Sequence, residues 1–206
     1  MKIYDISMTI HPNMQVYKNK EEKKPIFITR ANHINSHVHE TSITIDLHTG
    51  THIDAPLHML KDGATTETYD FKYFITTAKV FDFSNKDDVI AKDDLLTKEI
   101  SENDFILLKT KNSFSDDFDY NFVYLSGDAA KYLVSKKIIG VGIDGLGIER
   151  NQPTYDTHKS LLSNKVMILE GLRLKEVLEG SYKLIILPLK IANVEASPAR
   201  AILIED

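Results

Sequence analysis

The sequence predicts an α/β chain with a largely β core and helices packed outside it. Three observations lead there. β-rich apolar segments outnumber helical patterns, and several follow one another with no helix between. No repeat, low-complexity tract or Gly/Ser linker divides the 206 residues. That length suits one sizeable core and is short for two, so residues 1–206 are expected to form a single domain.

The elements follow in order. IYDISMTI (3–10) alternates and reads as an opening strand. Residues 18–25 form a charged loop, and IFITR (26–30), TSITIDLH (41–48) and FITTAKVFDF (74–83) are strand candidates. KDDLLTKEI (92–100) reads as a short helix with Asp87 or Asp93 near its start. DFILLKT (104–110) is a buried strand. SGDAAKYLVSKKI (126–138) is a helix capped by Ser126, with Asp128 in its first turn. IIGVGID (138–144) is another buried strand, and LRLKEVLEG (172–180) reads as a short helix closed by Gly180. LIILPLK (184–190) and ARAILIED (199–206) are the last strands.

Charge and composition exclude several functions. The net charge is -5, with lysines and acids interspersed and no basic tract longer than KNKEEKK (18–24). Nucleic acid is therefore not expected as a partner. No apolar run reaches membrane-spanning length, and MKIYDISMTIHP lacks the basic-then-apolar pattern of a signal peptide. With no cysteine there are no disulfides and no thiolate ligands or nucleophiles. These features suit a cytoplasmic protein with no membrane partner.

The segment DLHTGTHIDAPLH (46–58) carries the chemistry. It holds three histidines and two aspartates. In the alternating run ITIDLHTGTHID, Ile43, Ile45, Leu47 and Ile53 fall on odd positions, and His48, His52 and Asp54 on even ones. A strand would send the two sets to opposite faces. Gly50 removes the side chain that would crowd the two histidines, and Pro56 breaks the ladder so that His58 can turn back. Two imidazoles and a carboxylate suit Zn, Mn, Fe or Co. Without cysteine, an open catalytic site is favoured over a closed structural one. The bland alternative is a solvated polar strand face, which three histidines and an aspartate together argue against. Asp54 has two oxygens and could bridge two ions. The best distant ligands are His158 in YDTHKSLL and Glu170, which ends the apolar run VMILE.

These residues resemble the metal-dependent cyclase family, which includes bacterial kynurenine formamidases (arylformamidases) and isatin hydrolases. The family hallmark H-x-G-T-H-x-D-x-P-x-H is complete from His48 to His58. The similarity continues through DISMTI, MQVY, GIDGLGIE, the His158 and Glu170 segments, and LPLKIANVEASPARAIL. It implies a swivelling β/β/α domain that assembles as a homo-oligomer, a dimer or tetramer. It also implies roles. His48 and His52 would hold one metal, His158 a second, and Asp54 and Glu170 would bridge them. His58 would donate and accept the proton. The cofactor implied is a divalent metal, zinc foremost and manganese as an alternative, with one or two ions per chain.

The function implied is hydrolysis of an amide or formamide carbon–nitrogen bond, with conversion of N-formylkynurenine to kynurenine and formate as the leading case. A bound metal lowers the pKa of water from about 15.7 towards about 7, making a nucleophile available at neutral pH. His58, with an ordinary pKa near 6.5, would shuttle the proton to the leaving amine. Its alternative role is a further ligand or an orienter of one. Alternative activities are hydrolysis of cyclic amides or lactones, or a true cyclase reaction. A non-catalytic metal-binding protein on the same scaffold would be expected to lack a ligand or His58, and neither is missing.

The match departs at the N-terminus. Formamidases carry an aromatic residue in a V-W-P-G-D context that stacks on the substrate ring. Here the stretch is Val16-Tyr17-Lys18-Asn19-Lys20, so Tyr17 stands for the tryptophan and the turn is gone. Tyr17 is the expected substrate contact, with a surface or interface aromatic as the alternative. Thr51 and Asp46 are candidates for orienting ligands, though Asp46 reads better as an ordinary strand residue. Asp144 reads as a cap of the GLG turn. Gln152, Thr154 and Tyr155 are candidates to line the pocket by adjacency to His158. His33, His37 and His39 read as a polar strand face, and His11 as a loop residue.

Overall fold

The structure is a computed structural model that describes residues 1–205. Twelve strands and three α-helices are present among them. The strands are β1 (Lys2–Asp5), β2 (Ile26–Ala31), β3 (Glu40–Thr44), β4 (His52–Asp54), β5 (Ile75–Asp82), β6 (Val89–Ile90) and β7 (Phe105–Lys109). They continue with β8 (Tyr124–Leu125), β9 (Gly140–Ile143), β10 (Met167–Glu170), β11 (Gly180–Pro188) and β12 (Ala196–Glu205). The helices are α1 (Lys92–Leu96), α2 (Gly127–Ser135) and α3 (Asp156–Ser163).

Seven strands close into a barrel. The order β12-β11-β5-β7-β9-β10-β4 returns to β12, because Ala196–Pro198 pair with Asp54–His52. The steps β5–β7, β7–β9 and β9–β10 are parallel, and the rest are antiparallel. β1 extends the sheet along the far end of β12.

Strand alternation sorts the apolar residues into two cores. Phe105, Leu107, Met167, Leu169 and Ile53 fill the barrel with Val80, Leu184, Ile186 and Leu203. Ile106, Leu108, Val141, Ile143 and Ile168 face outwards, under Ala129, Ala130 and Leu133 of α2 and Leu161 and Leu162 of α3. The expected β core with outer helices is therefore present.

Individual elements differ from expectation in three places. Residues 172–180 form no helix: Leu172 bridges Ser7, Arg173 N–H donates to the Ile6 carbonyl, and Leu172, Leu174 and Val177 are buried in the barrel core. The chain turns at residues 175–176, where the Val177 N–H donates to the Leu174 carbonyl, and Gly180 opens β11 instead of closing a helix. α1 is shorter than expected, ending at Leu96. Its start is tied by Asp94, whose carboxylate accepts the Ala91 N–H, with Asp93 in the first turn. α3 is not among the elements the sequence predicts, although Leu161 and Leu162 share a face with His158 at helical spacing. α2 matches: Ser126 Oγ accepts from Ala129 N–H at its start.

Candidate metal centre

The alternating run 43–54 is not one strand. β3 ends at Thr44 and pairs with β2 alone, and the chain turns through residues 45–51 before β4 begins. The Asp46 carboxylate starts this turn by accepting the His48 N–H at 3.1 Å, and Lys23 holds its other oxygen at 3.0 Å. Asp46 thus organises the loop that carries His48 and is not a plain strand residue. Gly50 completes the turn at φ +65°. His52 and Asp54 do share a strand face as expected, whereas His48 reaches them through the turn.

β4 lies between β10 and β12, and its register places Glu170 directly opposite His52. Ile53 and Leu169 point into the barrel, so His52, Asp54 and Glu170 point out of it towards α3. α3 brings in His158 from the other side. The structure therefore assembles all five residues His48, His52, Asp54, His158 and Glu170 at one place.

The two carboxylates divide their oxygens between the histidines. Asp54 Oδ1 lies 3.1 Å from His48 Nδ1 and 3.5 Å from His52 Nε2, and Oδ2 lies 3.7 Å from His158 Nε2. Glu170 Oε2 lies 3.4 Å from His52 Nε2, and Oε1 lies 3.4 Å from His158 Nε2. Both carboxylates are fully buried or nearly so. Glu170 Oε1 also accepts the Ile148 N–H at 2.6 Å. Asp54 Oδ1, Asp54 Oδ2 and His52 Nε2 are buried without any hydrogen-bond partner.

The electrostatics follow from this packing. Burial alone would lower the His52 pKa, but Glu170 and Asp54 outweigh it and raise it to about 9. Burial opposes His158 in the same way, and Glu149, Glu170 and Asp54 raise it to about 10. Burial and Glu170 push Asp54 up, yet His48 and His52 hold it below its ordinary value. Glu170 lies well below its ordinary value: burial is outweighed by His158 and His52.

His58 stands beside the cluster, its ring centroid 4.3 Å from that of His48 and 5.6 Å from that of His158. Burial lowers its pKa, with His48 and His158 adding to the effect against Asp54 and Glu170. His58 is also near enough to share an ion with His48 and Asp54.

Tyr17 is half-buried, edge-on to Phe118 and Phe122 with centroids at 5.5 and 6.4 Å. Burial raises its pKa, helped by Glu170, Tyr155 and Glu149, which keeps it a neutral phenol beside the acidic centre. Thr51 serves the frame: its hydroxyl donates to the Gly171 carbonyl at 2.6 Å and accepts the Met8 N–H at 2.8 Å. Asp144 is structural too, but it accepts from Thr110 and Ser113 and does not cap the GLG turn. Gln152 braces Leu125 and Thr157 from the helix side, and Thr154 and Tyr155 are exposed. His33 and His37 sit in the exposed loop joining β2 and β3, with His39 just before β3, so they form no strand face.

Two acidic residues near the centre were not singled out in the sequence. Glu149 Oε1 is 3.0 Å from His158 Nδ1, and Glu195 Oε1 is 3.5 Å from His48 Nε2. Glu149 does follow a buried apolar run, GLGI, which is the same signal that marked Glu170.

The Cyclase family model matches residues 4–150. The kynurenine formamidase of Salinibacter ruber is 31% identical over 206 residues, covering 98% of this chain and 97% of its own length. A solved structure described as a potential metal-dependent hydrolase with cyclase activity is 49% identical. It superposes with a TM-score of 0.92, covering 98% of this chain and 96% of that one. Isatin hydrolase A from Labrenzia aggregata shares the fold, with a TM-score of 0.86 at 23% identity, covering 98% of this chain and 93% of that one.

Proposed function

Because this chain belongs to the Cyclase family, we propose that it is a metal-dependent hydrolase of a carbon–nitrogen bond, with N-formylkynurenine as the first substrate candidate. The observation that carries this reading is the set of buried, unpartnered ligand atoms on Asp54 and His52, facing His48, His158 and Glu170. A buried carboxylate without a partner is costly. A divalent cation resolves that cost, so the residues fit the implied metal.

His48, His52 and Asp54 would hold one ion, and His158 a second. Asp54 and Glu170 would contact both, since each offers one oxygen to either histidine set. The donor set is imidazole and carboxylate with no thiolate, which supports zinc and also accommodates manganese. A divalent ion supplies an acidified water and polarises the substrate carbonyl. The chain supplies the rest. His58, kept neutral at pH 7 chiefly by burial, takes a proton from the attacking water and returns it to the leaving amine. Tyr17, held edge-on by Phe118 and Phe122, offers a flat face to an aromatic substrate.

The same reading includes a homo-oligomer, a dimer or tetramer. The β2–β3 hairpin supports it. Ile26, Phe27, Ile28 and Ile43 are exposed, although two-stranded hairpins are marginal in water without a packed face. Among the described residues no helix is long and apolar enough to cross a membrane.

The test is metal content of the purified protein, paired with hydrolysis of N-formylkynurenine by the same sample. Bound divalent metal with turnover supports the whole reading. Metal without turnover removes this substrate and directs the assay to cyclic amides and lactones. No metal uptake after repletion overturns the metal centre itself.

A further inference from the structure

Each histidine of the centre has one ring nitrogen towards the carboxylates and the other towards an acceptor. His52 Nδ1 faces the Gly50 carbonyl at 2.8 Å, His48 Nε2 faces Glu195 and His158 Nδ1 faces Glu149. Of the two carboxylate acceptors, Glu149 is the buried one, 5% exposed, while the Glu195 side chain is 37% exposed. Glu149 also spends its oxygens unequally. Oε2 accepts the Thr157 N–H at 2.9 Å and the His158 N–H at 3.3 Å, which anchors the first turn of α3. Tyr155 provides no side-chain cap there. Oε1 is buried, has no other partner and lies 3.0 Å from His158 Nδ1.

We propose that Glu149 is the positioning residue for His158: one oxygen places the helix turn that carries the ring, and the other claims the Nδ1 proton. That leaves the Nε2 lone pair facing Asp54 and Glu170, where a ligand atom is required. The inference rests on the metal reading above and extends it to a residue outside the ligand set.

Glu149→Gln separates the two tasks. The amide oxygen can still accept from the start of α3. Its NH2 then faces Nδ1 and demands a lone pair there, so the ring proton moves to Nε2 and blocks the ligand position. The experiment titrates zinc alone into metal-stripped wild type, E149Q, H158A and the double variant, against a chromophoric chelator. The ion whose binding H158A abolishes is expected to weaken by about 10–100-fold in E149Q. Any ion insensitive to H158A should be unchanged, and E149Q should add nothing in the H158A background. Superimposable wild-type and E149Q isotherms, equal weakening of every ion, or an additive loss in the double variant would each overturn the proposal. A wild type that binds no zinc would sink the metal reading and Glu149 with it, and is told apart by the wild-type titration alone. Should E149Q not fold, imidazole nitrogen NMR of zinc-loaded wild type decides. A slowly exchanging Nδ1 proton on His158 is expected, and metal ligation through Nδ1 refutes the role.

Discussion

The α-carbon of Gly171 rests against the carbonyl oxygen of Gly50, so closely that a Cβ there would lie 2.3 Å from that oxygen. The two glycines belong to the two segments that carry Glu170 and the trio His48, His52 and Asp54. Gly171 follows Glu170, and the Gly50 oxygen faces His52 Nδ1. Both have positive φ, +68° and +65°. The contact therefore ties the end of β10 to the ring orientation of His52.

Gly171→Ala is expected to destabilise the fold by about 1–3 kcal/mol, through backbone strain and displacement of the Gly50 carbonyl. It should also lower metal occupancy, because His52 loses its fixed acceptor. Denaturant midpoints and metal content of the same preparation check both. Unchanged occupancy would separate the glycine contact from the site.

His58→Ala should retain metal and lose turnover by about 100-fold or more, the scale of a general acid–base contribution. Full metal loading with near-normal turnover would remove the proton-transfer role. Loss of metal would instead make His58 a ligand with His48 and Asp54, an arrangement their spacing permits.

Asp54→Ala should lose metal outright, since both of its oxygens face the histidines. Retained metal at wild-type stoichiometry would contradict the bridging assignment.

The metal-stripped protein should lose stability as pH rises. His52 and His158 have folded-state pKa values raised from 6.5 to about 9 and about 10. A raised histidine pKa contributes stability that is full below about 6.5 and lost as pH passes the folded value. The thermal midpoint of the stripped protein should therefore fall between pH 7 and 10. Zinc affinity should rise over the same range as bound protons leave the ligands. A flat midpoint would show that the pairs with Asp54, Glu170 and Glu149 are weaker than their spacing suggests.

If copies of the chain pair through the β2–β3 hairpin, Phe27→Asp or Ile28→Asp should reduce the molecular mass seen by light scattering. The two neighbours lie on opposite hairpin faces, so a change in only one identifies the face used. A wild-type monomer would remove the oligomer from the proposal.

By itself the sequence nominated His158 and Glu170 as distant partners, and it determined the β-rich class, the outer helix α2 and the short segment dense in histidines and aspartates. Those features are local: strand alternation, capping at Ser126, and a dense run of imidazole and carboxylate groups are all visible within a few residues. Tertiary structure decided the rest. Alternation placed His48 on a strand, but the turn built by Asp46 and Gly50 carries it, because that turn depends on Lys23 and on packing against Gly171. Helical propensity in 172–180 lost to burial in the barrel, and Glu149 faces His158 because the chain between β9 and α3 folds back so that its carboxylate accepts the Thr157 and His158 N–H groups. Barrel closure through β4 set His52 opposite Glu170. Such juxtapositions arise from long-range pairing and burial, which no local pattern encodes.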